Sequence, residues 1–218
     1  MAFEDDSSIL GVILAGGQAR RLGGGDKALK ELAGKPLLAH AVERLAPQVS
    51  QIIINANGEP ARFDSFRLPV AGDTVEGFVG PLAGVLAGME WAAENTPECP
   101  WIVTCATDAP FFPRDLVTRL MGAVEAVGAD MACAETNGQT HPVFGLWPVR
   151  LRTELHHALV EEDIRKVDLW TARYELIAVD FPAPVVDPFF NINRPEDLEA
   201  ATRIVAYLNG SKRGTYVN

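Results

Sequence analysis

Leu14-Ala15-Gly16-Gly17-Gln18-Ala19-Arg20-Arg21-Leu22-Gly23-Gly24-Gly25-Asp26-Lys27 follows directly on the short apolar run Ile9-Leu10-Gly11-Val12-Ile13-Leu14. An apolar run of that length ending in glycines reads as a buried strand. In open parallel sheets ligands bind beyond the carboxyl ends of strands, which is where this loop begins. Glycines there let the backbone come close to a ligand and turn N–H groups toward phosphate oxygens. Arg20, Arg21 and Lys27 add positive charge, arginine as a two-pronged fork and lysine as a point charge. No G-x-G-x-x-G is present, so the dinucleotide fingerprint is excluded. Lys27 lies between Asp26 and Ala28, so G-x-x-x-x-G-K-[ST] is excluded too.

Working outward, helices and strands alternate. Leu37, Leu38, Ala41, Val42 and Leu45 recur at helical spacing after Pro36, and Ile52-Ile53-Ile54 is a β-branched strand. Leu82 to Ala93 reads as a buried helix and Ile102 to Cys105 as a strand. Leu116, Val117, Leu120, Met121 and Val124 form a helical stripe after Pro113. Asp130 to Ala134 and Val143 to Trp147 read as strands, Leu151 to Leu159 as helix and Leu176 to Phe181 as strand. A last helix starts near Pro195, with Glu196 and Asp197 suiting its positive end. The pattern predicts a Rossmann-like three-layer α/β/α fold with a mainly parallel sheet. One antiparallel strand is expected, because no crossover helix fits between Ala134 and Val143. A single domain over residues 1–208 is expected, with a polar tail over 209–218.

The chain has 218 residues, 48% of them hydrophobic and 22% charged, which suits one folded core and argues against disorder. A net charge of −10 argues against a nucleic-acid partner, which calls for a basic face. An acidic protein that handles phosphate must concentrate cations, backbone N–H groups or a metal at one place. Cys99, Cys105 and Cys133 lack C-x-x-C spacing and read as reduced core thiols. Met1 to Ser8 lacks the features of a signal peptide. Leu82 to Ala93 is broken by Gly84, Gly88 and Glu90, too interrupted for a membrane span. A cytoplasmic protein is expected.

Other residues at strand ends invite a chemical reading. Asp108 follows the strand Ile102 to Cys105; on spacing alone it serves equally as a Mg²⁺ ligand, a helix N-cap or a solvated loop acid. Asp73 reads as a turn aspartate or a pocket residue, and Asn55 as an Asx turn or a group for a base or ribose edge. Asn191 and Asn193 alternate along an extended segment, where capping by Asn193 competes with a site role. His141 has no partner histidine and reads as structural or as lying on the acceptor side.

The string Leu14-Ala15-Gly16-Gly17, Arg20-Arg21-Leu22-Gly23, Asp26-Lys27 resembles the opening motif of nucleotidyltransferases with the nucleotide-diphospho-sugar transferase fold. Among them the chain most resembles the molybdenum cofactor guanylyltransferase family. Gly34-Lys35-Pro36-Leu37, Asn55-Ala56-Asn57, Gly80-Pro81-Leu82-Ala83-Gly84, Asp108-Ala109-Pro110-Phe111 and Asn191-Ile192-Asn193-Arg194-Pro195-Glu196-Asp197-Leu198 carry that resemblance along nearly the whole chain. Gln18 and the extra Gly25 are departures.

The resemblance implies Mg²⁺-dependent transfer of GMP from GTP to the terminal phosphate of molybdopterin, with or without molybdenum, releasing pyrophosphate. It implies a nucleotide site of Leu14, Ala15, Gly16, Lys27, Asn55, Asp73 and Asp108, with Asp108 the metal ligand. Lys27, Arg21 and Asp108 would carry catalysis, and Gly80, Pro81, Asn191 and Asn193 would meet the acceptor. Related cytidylyltransferases tend to read Leu-Ala-Ala-Gly, so Gly16 favours guanine. Cofactor-delivery proteins and molybdoenzyme apoproteins are the further partners implied. Alternatives are a molybdopterin cytidylyltransferase, a sugar-1-phosphate nucleotidyltransferase, usually longer, and a non-catalytic nucleotide-binding regulator.

Overall fold

The computed structural model describes residues 8–17, 21–75, 77, 80–183 and 185–213. Arg20 and Gln18 of the glycine loop therefore lie outside the described residues.

The chain runs β1 (Ile9–Leu14), β2 (Glu31–Leu32), β3 (Lys35–Pro36), α1 (Leu37–Leu45), β4 (Gln51–Asn55), β5 (Val70–Ala71), α2 (Pro81–Asn95) and β6 (Trp101–Ala106). It continues through α3 (Leu116–Val127), β7 (Met131–Thr136), β8 (Gln139–Pro148), α4 (Arg152–Val160), α5 (Val167–Thr171), β9 (Leu176–Asp180) and α6 (Pro195–Arg213). Seven strands form one sheet in the order β5-β4-β1-β6-β8-β7-β9. Strands β5, β4, β1 and β6 are mutually parallel, β9 is parallel to β7, and β8 is antiparallel to both of its neighbours. This is the three-layer fold with one antiparallel strand that the sequence predicts.

Alternation along β1 assigns its residues to two layers. Ile9 and Ile13 pack with Leu38 and Leu45 of α1 and with Leu116 and Leu120 of α3. Leu10 and Val12 pack on the other face with Leu82 and Leu86 of α2, Leu155 of α4 and Trp170 of α5. A third cluster of Leu32, Leu37, Phe111 and Ile192 seats α6 through Ala201 and Leu198. That seat holds the segment before α6 against the end of β6: the Ile192 amide donates to the Asp108 carbonyl at 2.8 Å.

Three differences from the sequence reading have local causes. β8 begins at Gln139, ahead of the apolar stretch. Its pairing with β7 jumps from Ala134–His141 to Cys133–Gly145, because Pro142 has no N–H for the ladder. α6 runs on to Arg213, so residues 209–213, read from polarity as tail, are helical. The five-residue α5 was not predicted, being too short to show a period. The three cysteines are buried free thiols; burial pushes Cys133 up to about 11 and raises Cys105 as well. Among the described residues no helix is long and apolar enough to cross a membrane.

Candidate active site

The parallel strands β1, β4 and β6 end side by side, with Leu14 paired to Asn55 and to Ala106. The backbone stays tied just past those ends. The Ala15 amide donates to the Asn55 carbonyl at 2.9 Å and the Thr107 amide to the Leu14 carbonyl at 3.4 Å. Every residue emerging from these strands therefore leaves a rigid edge in a common direction.

Lys27 returns to that edge after the glycine loop. Asp26 caps a 3-10 turn over Lys27–Leu29 by accepting from the Ala28 amide at 2.9 Å, and the Lys27 amide donates to the Gly17 carbonyl at 3.2 Å. The lysine is only 9% exposed. Its Nζ donates to Asp108 Oδ2 at 2.7 Å and to Asn193 Oδ1 at 2.5 Å. Residues separated by 81 and 166 positions in sequence thus meet at one atom. Two of the three ammonium donors are engaged, which leaves one for another acceptor.

The competition over Asn193 has a structural answer. Asp197 accepts from the Asn193 and Arg194 amides at 2.8 and 2.9 Å and so serves the start of α6. The Asn193 side chain is left to Lys27. Asn191 is exposed, and the buried Ile192 between the two asparagines anchors the segment.

A second polar network stands at the end of β4. Asn55, buried against α2, donates to the Ala71 carbonyl at 3.2 Å and to Asp73 Oδ1 at 3.0 Å. Asn57 donates to Asp73 Oδ2 at 2.7 Å and accepts from the Asp73 amide at 2.8 Å. Asp73 is thereby gripped by two side-chain amides. Helix α2 has room for Asn55 because position 84 is glycine: a Cβ there would lie 2.4 Å from Asn55 Oδ1 and 2.7 Å from Leu14 Cδ2.

A cleft of about 440 Å³ joins the two networks. Lys27 and Asp108 line one side of it, Asn55, Asn57 and Asp73 the other, with Gly80, Pro81 and Gly84 at the start of α2. Leu14, Gly16 and Gly17 form part of its wall, as does Val143 of β8. It shares Gly16, Gly17 and Asn57 with a second cleft of about 580 Å³, which is bounded by Gly24, Gly25, Asp26 and Arg62. The two clefts are thus neighbours along the strand ends. A small-molecule site commonly occupies 300–1,000 Å³ and is fixed by a few polar groups.

Of the residues singled out from sequence, Leu14, Gly16, Lys27, Asn55, Asp73, Gly80, Pro81 and Asp108 share the first cleft, and Ala15 bounds the second. Asn193 reaches the same site through Lys27. Arg21 is exposed in the turn beyond the loop and lines neither cleft. Asn57, Thr107 and Arg62 were not singled out; the first two stand next to residues that were, and nothing in the sequence marks Arg62. His141 is half-buried and stacks on Phe189, with ring centroids 4.5 Å apart. Its Nε2 is buried without a partner among the described residues, and burial lowers its pKa, partly offset by Asp187.

The donor set is right for a hard divalent cation. Among the described residues no three His, Cys, Asp or Glu side chains converge as a ligand set. Asp108 Oδ2 and Asn193 Oδ1 both accept from the Lys27 ammonium. Lys27 takes only one oxygen of the Asp108 carboxylate, and Mg²⁺ binds through one or two carboxylates with phosphate and water oxygens completing its shell, so Asp108 fits it.

The family model described as MobA-like NTP transferase domain matches residues 11–174. A protein of Bradyrhizobium sp. strain ORS 278 named molybdenum cofactor guanylyltransferase is 52% identical over 206 residues, covering 94% of this chain and 97% of its own. One of the same name from Rhodopseudomonas palustris strain BisB5 is 52% identical over 204 residues, with 94% and 97% covered. Among solved structures, molybdopterin-guanine dinucleotide biosynthesis protein A from Archaeoglobus fulgidus superposes with a TM-score of 0.71 at 25% identity, covering 91% of this chain and 99% of that one.

Proposed function

The chain belongs to the MobA-like NTP transferase family and is a nucleotidyltransferase of molybdenum cofactor dinucleotide synthesis; we propose that it moves GMP from GTP onto the terminal phosphate of molybdopterin, with Mg²⁺. The observation that carries the reading is the meeting of Lys27, Asp108 and Asn193 at the carboxyl ends of β1 and β6, facing a cleft whose far side is the Asn55–Asp73–Asn57 network.

In the proposed reaction an oxygen of the acceptor phosphate forms a bond to the α-phosphorus of GTP. The bond from that phosphorus to the β-phosphate bridging oxygen breaks, and pyrophosphate departs with the electron pair. The attacking oxygen is already ionised, so no general base is required. The barrier is the approach of two anions, and catalysis rests on positioning and charge.

Asp108 and Asn193 hold the Lys27 ammonium in place before substrate arrives, and its remaining donor meets a phosphate oxygen without reorganisation. Main-chain groups of Leu14, Ala15 and Gly16 and the clamped Asp73 carboxylate receive the guanine, and Asn55 the nucleoside side of the nucleotide. Gly80 and Pro81 face the acceptor. Asp108 would hold the Mg²⁺, which when bound neutralises phosphate charge as a Lewis acid. The cytoplasm is the compartment we assign, in keeping with the reduced, buried thiols.

The test is a nucleotide panel. The purified protein is incubated with molybdopterin, Mg²⁺ and each of GTP, CTP and ATP, and the dinucleotide product is followed by mass. Guanine dinucleotide from GTP, with little product from CTP, is expected. A cytosine product in preference, or none from any triphosphate, would overturn the assignment.

A further inference from the structure

Arg62 belongs to no motif, yet its guanidinium is held on four sides. Nε donates to Asp26 Oδ2 at 2.8 Å, Nη1 to the Glu59 carbonyl at 2.5 Å and Nη2 to the Asn57 carbonyl at 2.7 Å. The group lies over the Phe63 ring, 4.4 Å from its centroid. The backbone can wrap it because Gly58 takes φ +88°, and even a Cβ there would come within 3.4 Å of Nη1.

Its partner Asp26 sits at the point where the glycine loop rejoins the fold. Gly23, Gly24 and Gly25 have φ of +83°, +80° and +79°, and a Cβ on any of them would meet nothing within 4 Å. These three glycines contribute no side chain to hold the stretch in place. Asp26 uses one oxygen to cap the turn that begins at Lys27 and the other to take Arg62. On the opposite side, the carbonyl that Arg62 grips belongs to Asn57, whose side chain grips Asp73. One planar cation thus spans the loop end and the base-side network, and only arginine has donors in the right fork to do so.

We propose that Arg62 is a positioning residue for Lys27: acting through Asp26, it fixes the turn that carries the ammonium to the strand ends. The proposal rests on the transfer reading above. It predicts a larger loss in turnover than in GTP binding, because Lys27 acts on the transferring phosphate while Asp73 keeps its bond to Asn55, which Arg62 does not touch. A misplacement of about 1 Å can cost on the order of 100-fold in rate. Arg62→Ala should therefore lower kcat by roughly 10- to 100-fold, with KM for GTP changed by less than about threefold. Arg62→Lys keeps the charge on Asp26 without the two carbonyl contacts and should recover part of that loss.

Three readouts separate positioning from general stability. The double variant Asp26→Asn/Arg62→Ala should be no slower than the worse single variant by more than about twofold, since the pair acts as one unit. In a Lys27→Met background, Arg62→Ala should cost less than about twofold more, for the same reason. Amide exchange at Lys27 and Ala28 should accelerate at least about tenfold in Arg62→Ala while β1 and β6 keep their protection. This last measurement needs no substrate, so it decides the tether even if wild-type protein transfers nothing, an outcome that would instead sink the transfer reading. Unchanged kcat with unchanged exchange, additive losses in the double variant, or a tenfold rise in KM with kcat intact would each overturn the proposal. The last would make Arg62 a direct nucleotide contact.

Discussion

Gly84→Ala puts one methyl group into the wall of the nucleotide cleft, and the structure says what it strikes. The new Cβ would stand 2.4 Å from Asn55 Oδ1 and 2.7 Å from Leu14 Cδ2, so Asn55 must swing away from α2. It then loses its bonds to Asp73 and to the Ala71 carbonyl. For stability, the better helix propensity of alanine returns up to about 1 kcal/mol. Overpacking costs about 1–3 kcal/mol and each lost hydrogen bond about 1 kcal/mol. A net loss of roughly 2–4 kcal/mol follows, and the protein stays folded. For binding, one or two misplaced polar contacts to the nucleotide are worth roughly 1.4–2.8 kcal/mol, so Kd for GTP should rise about 10- to 100-fold. Gly88→Ala is the control, one helical turn away. Its Cβ would meet Val12 Cγ2 at 2.7 Å and Ile102 Cδ1 at 3.1 Å in the core, an overpacking cost of about 1–3 kcal/mol that should leave GTP affinity within about twofold. Titration calorimetry with GTP, alongside thermal melts, reads both. Wild-type affinity in Gly84→Ala, or equal losses of affinity in the two variants, would refute the placing of Asn55 in the nucleotide pocket.

Asp108→Asn keeps an acceptor for Lys27 but removes the charge. Turnover should fall about 100-fold or more, and the Mg²⁺ concentration giving half-maximal rate should rise. An unchanged Mg²⁺ titration would remove Asp108 from the metal site. His141 is neutral in its half-buried stack on Phe189, with its pKa lowered by burial. The unfolded chain takes up the proton at about pH 6.5 while the folded state resists it, so the contribution is present above that pH and lost as pH falls through the depressed folded value. The wild-type Tm should drop between pH 7.5 and 5.5 by more than that of His141→Phe; equal drops would contradict this.

Much of the fold was legible because each central strand, such as Ile9–Leu14, is a near-continuous apolar run buried on both faces, and each helix carries a stripe. The antiparallel β8 was legible because the gap between Ala134 and Val143 leaves no room for a crossover helix. The two-residue strands β2, β3 and β5 and the five-residue helix α5 show no period and were invisible. The far end of α6 was hidden because Asn209, Ser211 and Lys212 add no apolar stripe and Gly210 is a poor helix former. At the site, strand-end position exposed Lys27, Asn55, Asp73 and Asp108 as candidates. Their pairing was not legible, since Lys27, Asp108 and Asn193 meet only through the sheet order and the seating of α6. Arg21 follows the opposite course: its place in the motif suggested catalysis, but it stands exposed outside the clefts. Arg62, in an unremarkable stretch of 3-10 turn, depends on tertiary contacts for any meaning it has.

The claim that the Lys27 ammonium neutralises the reacting phosphates is tested most directly by single-turnover pyrophosphate release. Wild-type and Lys27→Met proteins would be compared at saturating GTP, Mg²⁺ and molybdopterin. Methionine preserves the buried stem and deletes the charge. Loss of one fixed donor of this kind is worth about 2.7–4 kcal/mol, so release should slow by roughly 100- to 1,000-fold. Release at the wild-type rate from a folded Lys27→Met protein would contradict the account.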